Sequence, residues 1–550
     1  MSSSQKQKQK AEDLQVPAAS PDHEEEHSSG SGSEIDAADN ASPSTSTPKT
    51  KKKNRSKISK ALGALRGNSQ IPQELVNHVL DKVKEEGGEG SAEANQYNVR
   101  EALEQLKIMD VVKGKAGPGG VNKKDMGTHK FWGTQPVPQP GEGPPLVDGY
   151  IEPPKPREEV RQEPYPLPKD FEWSVLDIDD PKQNKEVYDL LSLNYVEDDE
   201  ASFRFQYSAE FLQWALKPPG YHKEWHVGVR VSSNKKLVAF ISGVPMNLRV
   251  REHLIPVAEI NYLCVHKKLR SKRLAPVLIK EVTRQVNLKG TFQAIYTAGL
   301  VVPTPVSVCR YYHRLLNVPK LVDIRFCYVP RNMTLARMIR VNKVPSATAT
   351  RGLREMEEKD VPQVADLFTR YMKRFDMFPI FDLAEVRHQF LSGRGTGAVG
   401  DGGPGRRVGQ VTWTHVVEDP ETHKITDFFS FYSLPSTVIH NTKFPVLEAA
   451  YLFYYASETA FISDAEESGQ LKKRLESVIG DALVVANEAK FDVFNALTLM
   501  DNVPILQDLK FGIGDGILNF YLYNWRTAPL AGMKSEGGVA PGRGIGVVML

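Results

Sequence analysis

Apolar positions in this chain repeat with two periods, and both are clearest after residue 171. Val187, Leu190 and their neighbours recur at helical spacing, as do Val364 and Leu367. Each of these stretches is followed by a second helical stretch and then by a strand-like run. The runs are Lys236 to Ser242 (KLVAFIS) and Lys424 to Ser430 (KITDFFS). Similar but unequal offsets separate the paired segments. They fit two copies of one α/β unit, not a short-period solenoid. Chance matching of common helix and strand patterns is the other reading.

The segment Glu259 to Val286 changes period in mid-course. Ile260, Tyr262, Leu263, Cys264 and Val265 suit a buried strand. His266 to Arg273 is a basic loop, and Ala275 to Val286 shows helical periodicity through Leu278, Ile279 and Val282. Pro276 is tolerated only in the first turn, so it predicts where the helix begins. Strand, basic loop and helix N-terminus together make an anion site, because free N–H groups and the positive end of the helix dipole meet there. Such a site suits the phosphates of CoA or of a nucleotide. Taken alone, the same residues also describe a solvated basic turn.

Length and composition place this unit in a larger frame. The chain has 550 residues, more than one ordinary core holds, so two domains plus tails are expected. Residues 1–67 are rich in Ser, Lys, Glu and Gln and read as a disordered tail. Within it, Lys49 to Lys60 is strongly basic, either a tether to RNA such as a ribosome, or to an acidic surface, or else a solvated segment. Residues 68–115 carry helical spacing in Leu75, Val76, Val79, Leu80 and Val83, and again in Ala102, Leu103, Leu106 and Ile108. They read as a small helical appendage or as a segment that folds only with a partner. Residues 114–170 are rich in Pro and Gly, an extended arm. A net charge of +2 argues against nucleic-acid binding by the whole chain. The three cysteines fit neither a zinc pattern nor a disulfide framework, and no run is apolar enough for a signal or a membrane span. A cytoplasmic protein follows as the expectation.

Several signals are set aside. Gly512, Gly514 and Gly516 imitate a dinucleotide fingerprint, but the aromatic run Asn519 to Trp525 follows where a helix is needed. His222 and His226 are four apart, yet the second opens a strand-like run, so they do not share a metal. Cys264 lies in an apolar strand and reads as a structural thiol. No Ser/His/Asp arrangement stands out, which points away from an acyl-enzyme.

Longer blocks are more specific. Arg270-Ser-Lys-Arg273-Leu-Ala275 resembles the R-x-x-G-x-A pyrophosphate loop of the acetyltransferase superfamily, with Arg273 at the usual glycine. The whole of 259–286 resembles the first signature of the glycylpeptide N-tetradecanoyltransferase (N-myristoyltransferase) family. Lys510-Phe-Gly-Ile-Gly-Asp515-Gly516 resembles the second. Lys130-Phe131-Trp132-Gly-Thr-Gln-Pro136, Tyr195 to Asp199, Tyr296 to Gly299, Leu434 to Thr437 and Phe491 to Leu497 match further blocks in order. Tyr262 stands where the family usually has phenylalanine.

The resemblance implies an α/β fold of two tandem acetyltransferase-like (GNAT) halves around a saddle-shaped mixed β-sheet. The first half, 116–335, would bind acyl-CoA; the second, 336–550, would supply the peptide groove and the catalytic C-terminus. The implied activity is transfer of a myristoyl group from myristoyl-CoA, a co-substrate, to the α-amine of an N-terminal glycine. No permanently bound cofactor and no metal are expected. Partners would be N-terminal-glycine proteins and nascent peptides, with the ribosome met through the basic tail, and the enzyme would be a monomer.

By matching positions, Lys130, Phe131, Trp132, Tyr262, Leu263, Cys264, Val265, Ser271, Arg273, Leu274 and Ala275 would contact CoA. The backbone N–H groups of Tyr262 and Leu263 would form the oxyanion hole. Asn261 and Thr297 would hold the substrate amine. Tyr195, Val196, Asp198, Phe203, Tyr296, Thr297, Gly299, His313, Ser436, Tyr451 and Asp515 would line the peptide groove. The base would be the α-carboxylate of Leu550. The apolar terminus Gly546-Val-Val-Met-Leu550 suggests burial of that end, which would raise the carboxylate pKa, although without the resemblance an ordinary terminal strand is the favoured reading. The Gly-rich approach 527–544 must still deliver it. Two alternatives stand beside this reading: an acetyltransferase acting on lysines or N-termini, and a non-catalytic acyl-CoA or N-terminal-glycine binding protein.

Overall fold

The computed structural model describes residues 130–196, 202–270, 272–302, 304–439 and 441–550. The tail 1–67, the expected appendage 68–115, Asp198 and Ser271 lie outside the described residues. All described residues belong to one unit, Leu106–Leu550.

Alternating and continuous apolar runs become strands. The first set is β1 (Phe171–Val175), β2 (Phe203–Phe205), β3 (His226–Val231), β4 (Leu237–Val250), β5 (His253–Val265), β6 (Gln293–Ala298) and β7 (Ser307–Leu315). The second is β8 (Leu353–Glu355), β9 (Met377–Ile380), β10 (Thr412–Glu418), β11 (Ile425–Ser433), β12 (Ser436–Val438), β13 (Val446–Leu447), β14 (Ala449–Ser457), β15 (Val493–Leu497) and β16 (Gly512–Tyr523). The helices are α1 (Pro181–Asn194), α2 (Ala209–Leu216), α3 (Leu274–Leu288), α4 (Val318–Asp323), α5 (Leu335–Asn342), α6 (Val361–Met372), α7 (Leu383–Arg387), α8 (Gln470–Glu488) and α9 (Val503–Leu506).

Helix starts follow their caps. Asp180 accepts from the Lys182 N–H with Pro181 opening α1, and Ser208 accepts from the Phe211 N–H of α2. The first eight residues of β4 are all buried, because helices cover both of its faces. Phe240, Val244 and Leu248 join the main core with α1 and α2. Val238 and Ile241 join a second cluster under Leu278 and Val282 of α3.

Among the described residues, strands build a thirteen-stranded sheet ordered β1-β3-β4-β5-β6-β16-β7-β15-β14-β11-β10-β8, with β9 paired to β4. Strands β2, β12 and β13 form a small second sheet. The order of the large sheet is nearly palindromic. β4 and β11 are each third from an edge, and they carry the two strand-like runs paired by sequence. β5 and β6 are parallel neighbours, and so are β14 and β15. The helices α3 and α8 occupy equivalent crossovers. The internal echo is therefore a structural repeat.

The two copies are not simply side by side. β16, from the end of the chain, lies between β6 and β7, and β7 lies between β16 and β15. Each half thus completes its sheet with a strand from the other. The expected division at 335/336 falls at the first turn of α5. Shared strands should couple the unfolding of the halves. Urea unfolding followed by tryptophan fluorescence and by far-ultraviolet circular dichroism should give coincident transitions. Two separated transitions would show that the strand exchange does not couple them.

Candidate active site

The site begins where a parallel pair of strands stops pairing. β5 and β6 are hydrogen-bonded from Val257 and Gln293 up to Ile260 and Tyr296. β5 continues to Val265 and β6 to Ala298 without further rungs between them. Asn261 and Thr297 are therefore the first residues past the last rung, one on each strand. On its other side β5 pairs with β4, and the register shifts between Phe240 and Ser242. Ile241 alone faces both Tyr262 and Leu263, a β-bulge that disrupts the ladder at those two peptides. Tyr262 has φ +58°, left-handed backbone in a non-glycine residue.

The repeat provides an internal control. In the second half Ser430 alone faces Phe453 and Tyr454. There the bulge is sealed: the Tyr454 N–H donates to Ser430 Oγ at 3.1 Å, and Ser430 Oγ donates to the Tyr454 carbonyl at 2.8 Å. Ile241 has no hydroxyl to offer the Tyr262–Leu263 bulge, where the Tyr195 hydroxyl accepts from the Tyr262 backbone instead.

Beyond the bulge the chain runs through His266 to Arg273 into α3. Arg273 has φ +60° and makes no side-chain cap, and Pro276 sits in the first turn. Leu274 is buried and Ala275 half-buried, while Lys267, Lys268, Arg270, Lys272 and Arg273 are exposed around the helix start. The left-handed backbone at Arg273 explains why glycine is usual there. The Arg270 guanidinium donates to the Asn194 carbonyl, and the Lys267 N–H donates to Asn194 Oδ1 at 3.1 Å, which ties the loop to α1. At the equivalent point of the second half, Gly469 at φ +71° opens α8, but Asp464, Glu466 and Glu467 precede it. Cations precede one helix start and carboxylates the other, which favours the first for an anion.

The block Lys130 to Trp132 arrives from a distant part of the chain. The Trp132 ring stacks on Tyr296 at 5.7 Å, and Tyr296 stacks on Tyr521 at 5.0 Å. The Tyr296 ring is thus occupied in fixing this block to β6. Cys264 is buried in the main core, and burial pushes its thiol up to about 12, so it stays protonated and structural. Val265 ends β5.

The chain end completes the cleft. Ile545, Val547, Val548 and Met549 are buried and Leu550 is half-buried. The segment forms no strand, only one bridge from Ile545 to Met377. It is held by the Met500 N–H to the Ile545 carbonyl, the Gly546 N–H to Met377, and the Val548 N–H to Tyr454 Oη. The Gly-rich approach is a threading device. A Cβ on Gly544 would lie 2.2 Å from the Ala531 nitrogen, and one on Gly542 would lie 2.6 Å from the Met500 carbonyl oxygen. Arg543 pairs with buried Asp501, which also accepts from Tyr371 Oη at 2.5 Å.

Glu259 is the residue that sequence reasoning missed here. It is buried, accepts from Asn261 Nδ2 at 2.7 Å, and accepts a backbone hydrogen bond from Leu550. It therefore joins the chain end to Asn261. Desolvation raises its carboxyl to about 7, against an ordinary 4.5. A single Glu in the middle of a strand carries no pattern that marks it.

A second group of predicted residues lies across β7 and β16. His313 Nδ1 is 2.7 Å from Asn495 Oδ1, and burial lowers its pKa. The glycines of Lys510 to Gly516 serve this contact. The ladder between β16 and β7 slips between Ile513 and Ile517, and a Cβ on Gly514 would lie 2.3 Å from His313 Nε2. The motif is a glycine bulge at the head of a strand, with Asp515 exposed on it. Phe203 and His313 both pack on Phe326, at 5.8 and 5.3 Å. Ser436 is buried on β12, and Tyr451 stacks on Tyr432 at 5.4 Å. Tyr195 packs against Tyr262 at 6.1 Å. Val196 and Gly299 are exposed. Asn495, Phe326 and Tyr432 were not predicted; only Asn495 lay within a matching block.

Two family models match the chain: the N-terminal domain of myristoyl-CoA:protein N-myristoyltransferase over residues 150–309, and its C-terminal domain over residues 323–548. The chain belongs to the N-myristoyltransferase family. A glycylpeptide N-tetradecanoyltransferase of Emericella nidulans is 53% identical over 458 residues, covering 82% of this chain and 90% of the relative. One from Mycosarcoma maydis is 47% identical over 532 residues, covering 84% and 75%. A crystal structure of the Saccharomyces cerevisiae enzyme with bound myristoyl-CoA superposes with a TM-score of 0.72 at 47% identity. It covers 78% of this chain and all of that one. The expected fold class holds: two tandem acetyltransferase-like halves around a mixed sheet. Among the described residues no helix is long and apolar enough to cross a membrane.

Two buried polar groups of β5 have readable energetic consequences. The Tyr262 hydroxyl is buried with no hydrogen-bond partner among the described residues. An unsatisfied buried hydroxyl costs about 1–3 kcal/mol. Tyr262→Phe should therefore raise unfolding free energy by about 1 kcal/mol in urea titrations; an equal loss would mean that the hydroxyl is satisfied. Glu259 makes a second case. Its native pKa is raised, so the neutral acid favours folding fully below pH 4.5, and that contribution disappears as pH rises through 7. Glu259→Gln should flatten the stability profile of the parent between those values, by about 3 kcal/mol at most. A parallel profile in the variant would place the titration elsewhere.

Proposed function

We infer that this protein transfers a myristoyl group from myristoyl-CoA to the α-amine of an N-terminal glycine. The observation that carries the reading is the cleft past Ile260 and Tyr296. A bulge without the serine seal of its counterpart, a helix start among cations that no side chain caps, and a buried chain end converge on it. Relatives of this length and similarity bear the name of that activity, and the yeast structure holds myristoyl-CoA. Myristoyl-CoA is a co-substrate.

In this reading 116–335 binds acyl-CoA and 336–550 supplies most of the peptide groove and the chain end. The phosphates of CoA lie at the start of α3, with Lys130, Phe131, Trp132 and Arg273 near them. The thioester carbonyl meets the N–H groups of Tyr262 and Leu263, which stabilise the oxyanion that forms in the transition state. Loss of one such donor typically costs about 3 kcal/mol of barrier. Asn261 and Thr297 hold the glycine amine. The α-carboxylate of Leu550, carried in by the buried tail and fixed through Glu259, takes a proton from the ammonium. The freed amine attacks the thioester carbon, the tetrahedral intermediate collapses as the carbon–sulfur bond breaks, and the proton lost by the attacking nitrogen goes to the departing sulfur, so that CoA leaves as the thiol. Phe203, His313, Ser436, Tyr451 and Asp515 face the peptide beyond glycine. Nascent and mature chains that begin with glycine are the partners; contact with the ribosome falls to the basic tail at Lys49 to Lys60.

Incubation with a glycine-initiated peptide and either myristoyl-CoA or acetyl-CoA should add a myristoyl mass, and little acetyl. No gain with myristoyl-CoA would sink the proposal, and gain with acetyl-CoA alone would favour a short-chain acetyltransferase. Removal of Val548 to Leu550 should cut turnover by at least about a hundredfold while acyl-CoA still binds. Surviving turnover would exclude the terminal carboxylate as base.

A further inference from the structure

One strongly charged segment has no part in this chemistry. Between Asp323 and Glu355 the chain carries seven Arg and Lys residues and no Asp or Glu. Its centre is α5, Leu335–Asn342, which begins with Thr334 accepting from the Arg337 N–H at 3.2 Å. Met338 is its one buried residue. Leu335 is 40% exposed, Ile339 41% and Val341 41%; Tyr328, in the connection before it, is 72% exposed. Large apolar side chains left to water at this density need a partner.

The helix is nonetheless firmly held at one end. Arg314 of β7 donates to Asn342 Oδ1 and to the Asn342 carbonyl, each at 3.1 Å, and Lys510 donates to the Val341 carbonyl at 2.9 Å. Two cations at a helix C-terminus stabilise it. The rest of the helix projects outward. At 100° per residue, Leu335 and Ile339 share one flank, while Arg337, Arg340 and Lys343 cluster on the face opposite Met338. Among the described residues Arg325, Arg337, Arg340 and Lys343 make no ion pair. Their charge is therefore available to an external anion.

We propose that α5 and the connection before it form a docking surface for an anionic lipid bilayer. Apolar side chains flanked by basic ones are what a membrane interface selects: Leu335, Ile339 and Tyr328 enter the acyl boundary while the guanidinium groups meet headgroup phosphates and carboxylates. An RNA backbone would use the same cations but has no use for exposed Leu and Ile. The inference is independent of the acyl-transfer reading, since it rests on none of the cleft residues. It does place the surface on β7, the strand that carries His313.

The test uses the full chain and sedimentation with vesicles of phosphatidylcholine alone or with phosphatidylserine. Binding should require phosphatidylserine. Each basic side chain near an anionic surface strengthens binding about fivefold, so Arg337→Glu with Arg340→Glu should weaken it well over tenfold, and more at low salt. Leu335→Glu with Ile339→Glu should weaken it at least about tenfold, and the milder Ile339→Ser should act in the same direction. Transfer to a soluble glycine peptide should be unchanged in all of them, which also verifies folding. Unaltered vesicle binding in these variants would assign any binding to the basic tail and overturn the proposal. So would binding to RNA that needs Arg337 and Arg340, in a protein whose vesicle binding ignores Ile339.

Discussion

The parting of β5 from β6 after Ile260 and Tyr296 is the constraint on which the rest depends. Backbone N–H groups in a closed sheet are consumed by their neighbours. A sheet that opens leaves some of them facing a cleft, and the bulge opposite Ile241 removes another set of rungs at the same depth. Everything else arrives at that opening: the start of α3 from one side, Trp132 through its stack on Tyr296, and the chain end through the core. Lipid or peptide chemistry is added to a defect in a ladder.

The duplicated half shows how such a defect is silenced. Ser430 fills the hydrogen-bonding needs of the second bulge, carboxylates replace the cations ahead of α8, and Val548 is tied to Tyr454 beside it. Three local changes distinguish a cleft suited to an anionic acyl donor from a packed one. The exchange of β7 and β16 then prevents the halves from drifting apart, which keeps His313 and the bulge in one frame.

The cleft is costly in stability. Tyr262 and Arg273 hold left-handed backbone, and Glu259 is a buried carboxyl at the chain end. Strain and desolvation of this kind persist only where the surroundings over-determine them. Here the surroundings are a long β4–β5 hairpin, an aromatic cluster and an ion-pair network around Asp501.

Much of this was legible in the sequence. The change of period between Glu259 and Val286, the position of Pro276, the echo between Lys236 to Ser242 and Lys424 to Ser430, and the apolar terminus are all local patterns. Local patterns survive in sequence because backbone period and burial act on neighbouring residues. The blocks that resemble N-myristoyltransferases carried the family in the same way. What the sequence could not determine are relations between distant segments. The strand exchange, the sealing of one bulge by Ser430, the stacking of Trp132 on Tyr296, and the role of Glu259 beneath Leu550 each join residues far apart in the chain. No period or spacing encodes such a meeting, because the partner's identity enters only when packing brings it within hydrogen-bond reach.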